Sequence, residues 1–215
     1  MPSPSRSGSF SASAFGFTGG ILPPVTYIGA TIVQDSAPAN VTLPTGSAAG
    51  DLCICINGYN QVIPSGFTLI NTSTMTNNGG QYYTSSFKVL SSGDISTGYI
   101  TVDINIINCG AALLTYRGIS SPVFSASEES TTSSTNNATY ATTTGARGVL
   151  AFNTDRDGYA SGSTANGGVT KLGGIGVTYG LTIAHSLTPI TNGTRVGFSS
   201  LNTPQPQMTT LITLK

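Results

Sequence analysis

The sequence has little charge and no tryptophan. Of its 215 residues, 8 are Lys or Arg and 8 are Asp or Glu, so 7% of the chain is charged and the net charge is +0. Proteins that bind nucleic acid through its phosphates present a clustered basic surface, which this composition does not supply. Intrinsic disorder is typical of low hydrophobicity combined with high net charge, whereas 38% of the residues here are hydrophobic. We therefore expect a folded core and no nucleic-acid partner.

Long apolar runs are also lacking. A membrane-spanning helix needs about 20 apolar residues, and a secretory signal needs a continuous stretch of about 7–15. Near the N-terminus, Phe10, Phe15 and Phe17 are separated by Ser, Ala and Gly, and Arg6 is the only charge before residue 20. A transit peptide would carry several arginines. The sequence thus predicts a soluble protein with no membrane partner and no targeting segment.

Side chains suited to catalysis are scarce. His185 is the only imidazole and no Gly-x-Ser-x-Gly elbow is present, so we expect a surface or structural histidine and not part of a hydrolase triad. A glycosidase needs two carboxylates facing across a cleft, but Asp35, Asp94 and the Glu128–Glu129 pair fall in apparent turns or loops. We predict no enzymatic activity and no cofactor.

Two runs partly match known ligand-binding patterns. Asn153–Gly158 begins like a calcium loop, but Thr164 occupies the twelfth position where a bidentate Glu is needed. A turn with Asx hydrogen bonds is the expected structure there. The glycine-rich run Gly173–Gly180 lacks the third glycine of the dinucleotide pattern, so it predicts a loop that leads into a strand.

The three cysteines are an odd number in a chain with no predicted export signal. Cys53 and Cys55 are two residues apart in a β-rich run, so they point to the same face of a strand. We expect small apolar core residues, although a disulfide from Cys109 to one of them is geometrically open. With one histidine and no Cys-x-x-Cys pair, no metal site is predicted.

The sequence is rich in the residues of β-sheets, with Val, Ile, Thr and Tyr in short runs separated by Gly, Pro, Asn and Ser. Tyr99–Ile107 alternates between polar and apolar side chains, as in a half-buried strand. Leu52–Ile56 is apolar on both faces, as in a central strand covered on two sides. No segment sustains a helical period. The other candidate strands are Val25–Val33, Phe67–Asn71, Gln81–Leu90, Ala111–Tyr116, Val149–Asn153, Gly176–Ala184, Thr194–Ser200 and Met208–Leu214.

These patterns predict an all-β fold, an antiparallel two-sheet β-sandwich that is jelly-roll-like. The sandwich is expected over residues 25–215 and an extended N-terminal arm over residues 1–24. Ser125–Thr144 has almost no apolar residue besides Tyr140, and we expect a long exposed loop there. The strand sets on either side of this loop suit two halves of one sandwich, but their sequences are too different to indicate a repeat.

One series of motifs resembles a known family. The motifs are Val41–Pro44, Gly46–Leu52, Pro64–Ile70, Tyr82-Tyr83 with Phe87–Val89, and Leu114–Ile119. Their order resembles a β-sandwich module recurrent among virion proteins of tailed bacteriophages, with its Gly-Asp-Leu, Gly-Trp-Thr, Tyr-x-Lys-Val and Tyr-Arg-Gly signatures. Phe67 stands where that module usually has tryptophan. The resemblance covers residues 31–123 and implies a non-enzymatic structural or adhesive module of a virus particle.

Four residues of these motifs are expected to have structural roles. Asp51 follows a glycine and is placed to accept hydrogen bonds from backbone amides where a strand begins. Arg117, beside Tyr116, is expected to bond loop carbonyls or a carboxylate. Phe67 is the aromatic residue of the turn motif.

The N-terminal arm suggests a function in assembly. A Ser/Gly/Pro-rich segment cannot bury Phe10, Phe15 and Phe17 by itself, so these rings are expected to occupy pockets on a neighbouring protein. The leading hypothesis is a capsid cement or decoration protein, located in the virion and homo-oligomeric, whose partners are other virion proteins such as the major capsid protein or tail proteins.

The alternative hypothesis is a tail-fibre or baseplate component that binds a host glycan or receptor. Tyrosine rings on loops can stack on sugars, and Tyr59, Tyr140 and Tyr159 are the candidates.

Overall fold

A computed structural model of the chain describes residues 23–35, 38–58, 61–76, 81–104, 109–130, 135–156, 163–176, 179–199 and 206–215. The first strands are β1 (Thr26–Asp35), β2 (Ala39–Thr42), β3 (Leu52–Gly58), β4 (Thr68–Met75), β5 (Gln81–Val89), β6 (Tyr99–Val102) and β7 (Cys109–Arg117). They are followed by β8 (Pro122–Ser130), β9 (Thr135–Thr139), β10 (Gly148–Arg156), β11 (Thr164–Asn166), β12 (Thr170–Ile175), β13 (Tyr179–Ser186), β14 (Arg195–Ser199) and β15 (Gln207–Leu214). One short helix, α1 (Ser92–Thr97), precedes β6.

Two five-stranded antiparallel sheets form the centre of the molecule. The first has the order β4-β5-β3-β7-β1, and the second has the order β12-β13-β10-β15-β8. A single parallel bridge between Cys109 and Tyr179 connects β7 to β13. The predicted all-β, antiparallel two-sheet sandwich is confirmed.

The two halves of the chain have the same topology. Strands β1 to β7 of the first half can be matched in order with strands of the second half, which are β8, β9, β10, β12, β13, β14 and β15. With this matching, the two central sheets have the same strand order. The antiparallel pair β2–β6 then corresponds to the antiparallel pair β9–β14. Register shifts also occur in corresponding edge strands, near Ile28 and Ser125 and near Ile70 and Leu172. The halves are therefore two versions of one seven-stranded unit, a relationship that the sequence did not indicate.

In the described part of the chain, three hydrophobic clusters divide the sandwich into four layers. The inner core lies between the two central sheets and takes side chains from both, including Ile54, Leu114, Phe152 and Ile212. A first outer core lies between the first central sheet and the β2–β6 pair. A second outer core lies between the second central sheet and the three-stranded sheet β11-β14-β9.

The central strands supply two cores at once because successive side chains in a strand point to opposite faces. On β3, Leu52, Ile54 and Ile56 enter the inner core, while Cys53 and Cys55 enter the first outer core. The expectation of a strand covered on both sides is confirmed. The cysteines are free and buried, as expected of small apolar core residues.

Several threonine and serine hydroxyls inside the sandwich are paired with other buried groups. Every side chain of β15 is buried, and its hydroxyls find partners on neighbouring layers. The Thr209 hydroxyl donates to the Asn136 carbonyl over 2.9 Å, and the Thr210 hydroxyl lies 3.2 Å from that of Ser73. Such pairing offsets the cost of taking hydroxyls out of water, so a core rich in threonine is compatible with the low charge of the chain.

The predicted exposed loop over Ser125–Thr144 is wrong for most of its length. Strand β8 pairs with β15, and β9 pairs with β14. The side-chain amide of Asn136, which is buried, donates to the carbonyls of Glu128 and Gln207 at 2.9 Å each. Polar residues form strands here because threonine favours the extended backbone and because the neighbouring strands satisfy the buried amide.

Three smaller expectations need correction. Asp94, expected in a turn or loop, lies in the first turn of helix α1, where it forms a capping box with Ser91. The alternating strand that begins at Tyr99 ends at Val102, although Ile100, Val102 and Ile104 are buried as the alternation predicts. Gly173 and Gly174 lie within β12 and not in a loop.

No helix in the described part of the chain is long and apolar enough to cross a membrane.

Truncation of the inner core should strongly destabilise the protein. Leu114 is fully buried between the central sheets, so we expect Leu114→Ala to lower the free energy of unfolding by about 2–5 kcal/mol. Leu69→Ala is the matched control, because that side chain is 50% exposed and such a change costs no more than about 0.5 kcal/mol. Urea titrations measure both; equal losses would contradict the four-layer packing.

Candidate functional site

The chain enters the sandwich beside the ends of two central strands. Arg147, just before β10, donates from Nη1 to the Gly118 carbonyl and from Nη2 to the Pro23 carbonyl. One guanidinium therefore connects the first described residue to the chain that leaves β7. We call this group of residues the arm junction.

The backbone conformation at position 118 of the arm junction requires glycine. Its φ of +79° is left-handed, and a Cβ atom there would lie 2.6 Å from the Pro24 carbonyl oxygen. A side chain would collide with the backbone that passes over it, so glycine allows the N-terminal segment to lie close to the end of β7.

An ion pair between a buried carboxylate and a half-exposed arginine lies next to the arm junction. The Asp51 carboxylate, of which 2% is exposed, accepts from Nε of Arg117 at 2.8 Å and from Nη2 at 2.9 Å. It also accepts from the Ala48 backbone amide at 2.8 Å, and Arg117 donates to the Gly46 carbonyl over 3.4 Å. The hydrogen bond to Asp51 raises the pKa of Arg117. The pair holds the turn before β3 against the end of β7.

A cavity opens between the two halves at this end of the sandwich. It has a volume of about 490 Å³, and its lining includes Pro23, Ile119, Gly145, Arg147 and Lys215. We call it the junction cavity. Two of its lining residues are joined by a backbone hydrogen bond, in which the Ser120 amide donates to the Lys215 carbonyl at 2.7 Å. The volume lies within the range of about 300–1,000 Å³ typical of binding cavities.

His185 belongs to an aromatic cluster that joins the two halves. The Tyr116 hydroxyl lies 3.2 Å from Nδ1 of His185, and the Tyr27 ring meets the imidazole edge-on with centroids 4.6 Å apart. Burial lowers the pKa of His185 to about 4, so the ring is neutral at pH 7 and can accept the hydroxyl's hydrogen bond. The arrangement gives His185 a structural environment.

The structure places the four described residues of the predicted site in structural surroundings. Asp51 and Arg117 are brought together as a pair. Tyr116 is fully buried in the inner core, and Phe67 packs in the first outer core. The arm residues Phe10, Phe15 and Phe17 lie outside the described residues.

Two functional features were missed by sequence reasoning. Arg147 follows a short turn with no motif, and its partners are backbone carbonyls from distant parts of the chain, which leave no pattern of residue types. The contact between His185 and Tyr116 likewise joins strands that are 69 residues apart. The only sequence signals for these two contacts were the small number of arginines and the single histidine in the chain.

The other candidate ligand sites are altered by the structure. Tyr140 is fully buried in the second outer core and cannot stack on a sugar, which corrects that expectation; Tyr59 and Tyr159 lie outside the described residues. Asn153 and Asp155 of the calcium-like run lie in β10 and not in a turn. Among the described residues, no three His, Cys, Asp or Glu side chains are grouped to hold a metal ion.

The cysteines are in environments that suppress thiolate chemistry. Burial raises the pKa of Cys53 to about 12 and that of Cys109 to about 12, and it also raises the pKa of Cys55. Because the thiolate is the nucleophile and the metal ligand, these thiols are inert at neutral pH.

A second, more polar depression lies beside helix α1. It has a volume of about 300 Å³ and is lined by Ser65, Lys88, Asp94 and Tyr99, among others. Lys88 donates to Asp94 over 2.7 Å, and 40% of Tyr99 is exposed. An exposed ring beside hydrogen-bonding groups is the arrangement that a sugar can use.

The fold and these sites define a duplicated all-β sandwich whose N-terminal segment is attached at a fixed junction. Comparison of the chain with protein-family models, curated proteins and solved structures finds no match.

The ion pair with the buried carboxylate of Asp51 should contribute more to stability than the pair with the exposed carboxylate of Glu128. Asp51→Asn removes the charge that faces Arg117 and places an amide beside its N–H groups, so we expect a loss of about 1–3 kcal/mol of stability. Glu128→Gln is the matched control, because Glu128 makes a two-bond pair with Arg195 at 2.6 and 2.7 Å in an exposed position. That change should cost less than about 1 kcal/mol. Chemical denaturation compares them; a larger loss for Glu128→Gln would contradict the assignment.

His185 should make stability depend on pH. The unfolded chain takes up a proton at His185 below about pH 6.5, whereas the folded chain does so only near pH 4. The unfolded state therefore binds more protons in this window, and stability should fall as the pH is lowered from about 6.5 to about 4. His185→Phe should show a shallower fall in denaturation midpoint over the same window. An unchanged pH dependence would show that His185 titrates normally in the fold.

Proposed function

We propose that this protein is a structural component of a tailed-phage virion, most specifically a cement protein that decorates the capsid and is anchored by its N-terminal arm. The observation that carries the proposal is the arm junction. Arg147 and Gly118 fix the point where residues 1–22 join a sandwich that is already filled by three internal cores.

A folded domain with an attached arm suits a protein that stabilises an assembly. The three cores of the described sandwich are formed by side chains of its own strands. The arm has one charge, Arg6, and three aromatic rings, so its contribution comes from burial against another protein. A protein that binds only the assembled lattice stabilises that lattice by linkage.

The surroundings of the titratable groups support a non-enzymatic role. The one histidine is neutral and bonded to a buried tyrosine, and the thiols are protonated. Asp51 is paired with Arg117. These groups stabilise the fold, so we infer that the protein acts through binding and not through chemistry, with copies of itself and other virion proteins as partners.

A tail component that binds a host glycan is the second candidate, and the depression at Tyr99 favours it. The exposed ring lies beside Lys88 and Asp94, and the hydroxyl of Thr101 in the same lining donates to Asn40 over 2.8 Å. A saccharide could stack on Tyr99 and bond these groups. This site replaces the buried Tyr140 as the candidate for sugar binding.

Removal of the arm's aromatic rings should abolish attachment to particles. We expect the combined variant Phe10→Ala, Phe15→Ala, Phe17→Ala to lose co-sedimentation with capsids that lack the protein, because each ring contributes buried apolar area. The matched control changes Ser9, Ser11 and Ser13 to Ala, which keeps the rings and should bind normally. Circular dichroism should show both variants folded.

Mass spectrometry of purified particles distinguishes the candidates. A cement protein should be present at a copy number comparable to that of the major capsid protein, and a tail component at far fewer copies.

Unchanged binding of the triple phenylalanine variant would refute the role of the arm. Absence of the protein from particles would refute both candidates, and glycan binding that is lost in Tyr99→Ala would favour the tail.

A further inference from the structure

The second half of the chain has two cations where the first half has an ion pair. In the first half, Asp51 directly precedes β3 and bonds Arg117, the last residue of β7. The corresponding strands of the second half are β10 and β15. Arg147 directly precedes β10 and Lys215 directly follows β15, so a base stands in the second half where the first half has its acid.

The strand register supports this correspondence. At this end of the central sheets, the last paired residues are Leu52 with Tyr116 in the first half and Gly148 with Leu214 in the second. Tyr116 and Leu214 both enter the inner core. The charged residues lie one position beyond these pairs in both halves, so they occupy matching places at the ends of the two sheets.

Neither cation of the second half has an acidic partner in the described part of the chain, where the ion pairs are formed by Lys88, Arg117 and Arg195. The partners of Arg147 are two neutral backbone carbonyls, and a guanidinium has five N–H groups to donate. Two like charges beside one cavity repel each other, and an anion placed between them relieves that repulsion.

Both cations line the junction cavity, and so does Ser121. The Ser121 carbonyl accepts from the Lys215 amide at 3.0 Å, which places this serine beside Lys215, and its hydroxyl can donate a further hydrogen bond. The main-chain oxygen of Lys215 is directed at Ser120, whose amide and hydroxyl donate to it at 2.7 and 3.3 Å. Ile119 adds apolar surface, and a volume of about 490 Å³ leaves room for the carbon skeleton of a small ligand.

We propose that the junction cavity binds the carboxylate group of an organic anion between Arg147 and Lys215. The first half contains the same kind of contact, because the Asp51 carboxylate accepts from two nitrogens of Arg117 and from a backbone amide. A ligand carboxylate supplies in the second half the charge that Asp51 supplies in the first. An apolar body attached to that carboxylate lies against Ile119, which favours an organic acid over an inorganic anion.

Benzoate is a suitable probe because it joins one carboxylate to an apolar ring, and benzamide is the matched neutral control. In amide NMR spectra of the isolated full-length protein, we expect benzoate to shift the signals of Ser120, Ser121 and Gly145 until they saturate. Benzamide should shift the same signals only weakly. Phosphate should bind several-fold more weakly than benzoate, because it has no apolar body.

Variants test the charges of the cavity wall. Lys215→Gln removes one cation at a position outside the strands, and we expect several-fold weaker benzoate binding. Lys171→Gln is the matched control, because Lys171 donates to the Ser163 carbonyl and does not line the cavity, so its loss should leave the affinity unchanged. Ser121→Asp places a carboxylate in the wall and should raise the Tm and prevent benzoate binding, whereas the isosteric Ser121→Asn should do neither.

Equal affinities for benzoate and benzamide, or an unchanged benzoate affinity in Lys215→Gln, would overturn the proposal. Tighter binding of phosphate than of benzoate would also overturn it, since the site would then recognise inorganic anions. Signals that shift without saturating would show non-specific association and would count against it equally. None of these measurements needs a particle, so failure of the proposed virion role would leave their outcome unaffected.

Discussion

The structure depends on one constraint, which is that the central strands are apolar on both faces. A sheet built from such strands cannot leave either face in water, so β3 and β10 each require a layer above and a layer below. The two central sheets pack against each other and so bury one face each. The small sheets β2–β6 and β11-β14-β9 cover the other face of the first and the second central sheet, respectively. Four layers and three cores follow from this requirement.

Duplication of the seven-stranded unit places the arm junction between two similar halves. Strands β7 and β15 correspond; β7 ends at Arg117, and β15 ends at Leu214, directly before Lys215. The first half has the Asp51–Arg117 pair there, and the second half contributes Arg147, which bonds carbonyls of the first half and of Pro23. Corresponding ends of similar units have thus acquired different partners, and that difference creates the attachment point for the arm.

Much of the fold could be predicted from the sequence, because the pattern of apolar and polar side chains along a strand indicates which of them are buried. The positions of β3, β5, β7, β10 and β15 were predicted, and so was the burial of Cys53 and Cys55. Strands β8 and β9 could not be predicted, since their polar side chains become buried only when partners such as the Glu128 and Gln207 carbonyls are brought to Asn136. The same reason hid Arg147, whose partners are backbone groups that carry no residue-type signature.

The sequence by itself determined the class of the fold, its two-faced central strands, its low charge and the composition of the arm. These properties depend on the composition and order of side chains along the chain, so they can be predicted from local sequence patterns. Only the tertiary structure decided that the halves share one topology, that His185 lies beside Tyr116, that Tyr140 is buried, and that a cavity opens beside Pro23. Those features arise from contacts between residues far apart in sequence, where geometry and not local pattern sets which groups meet.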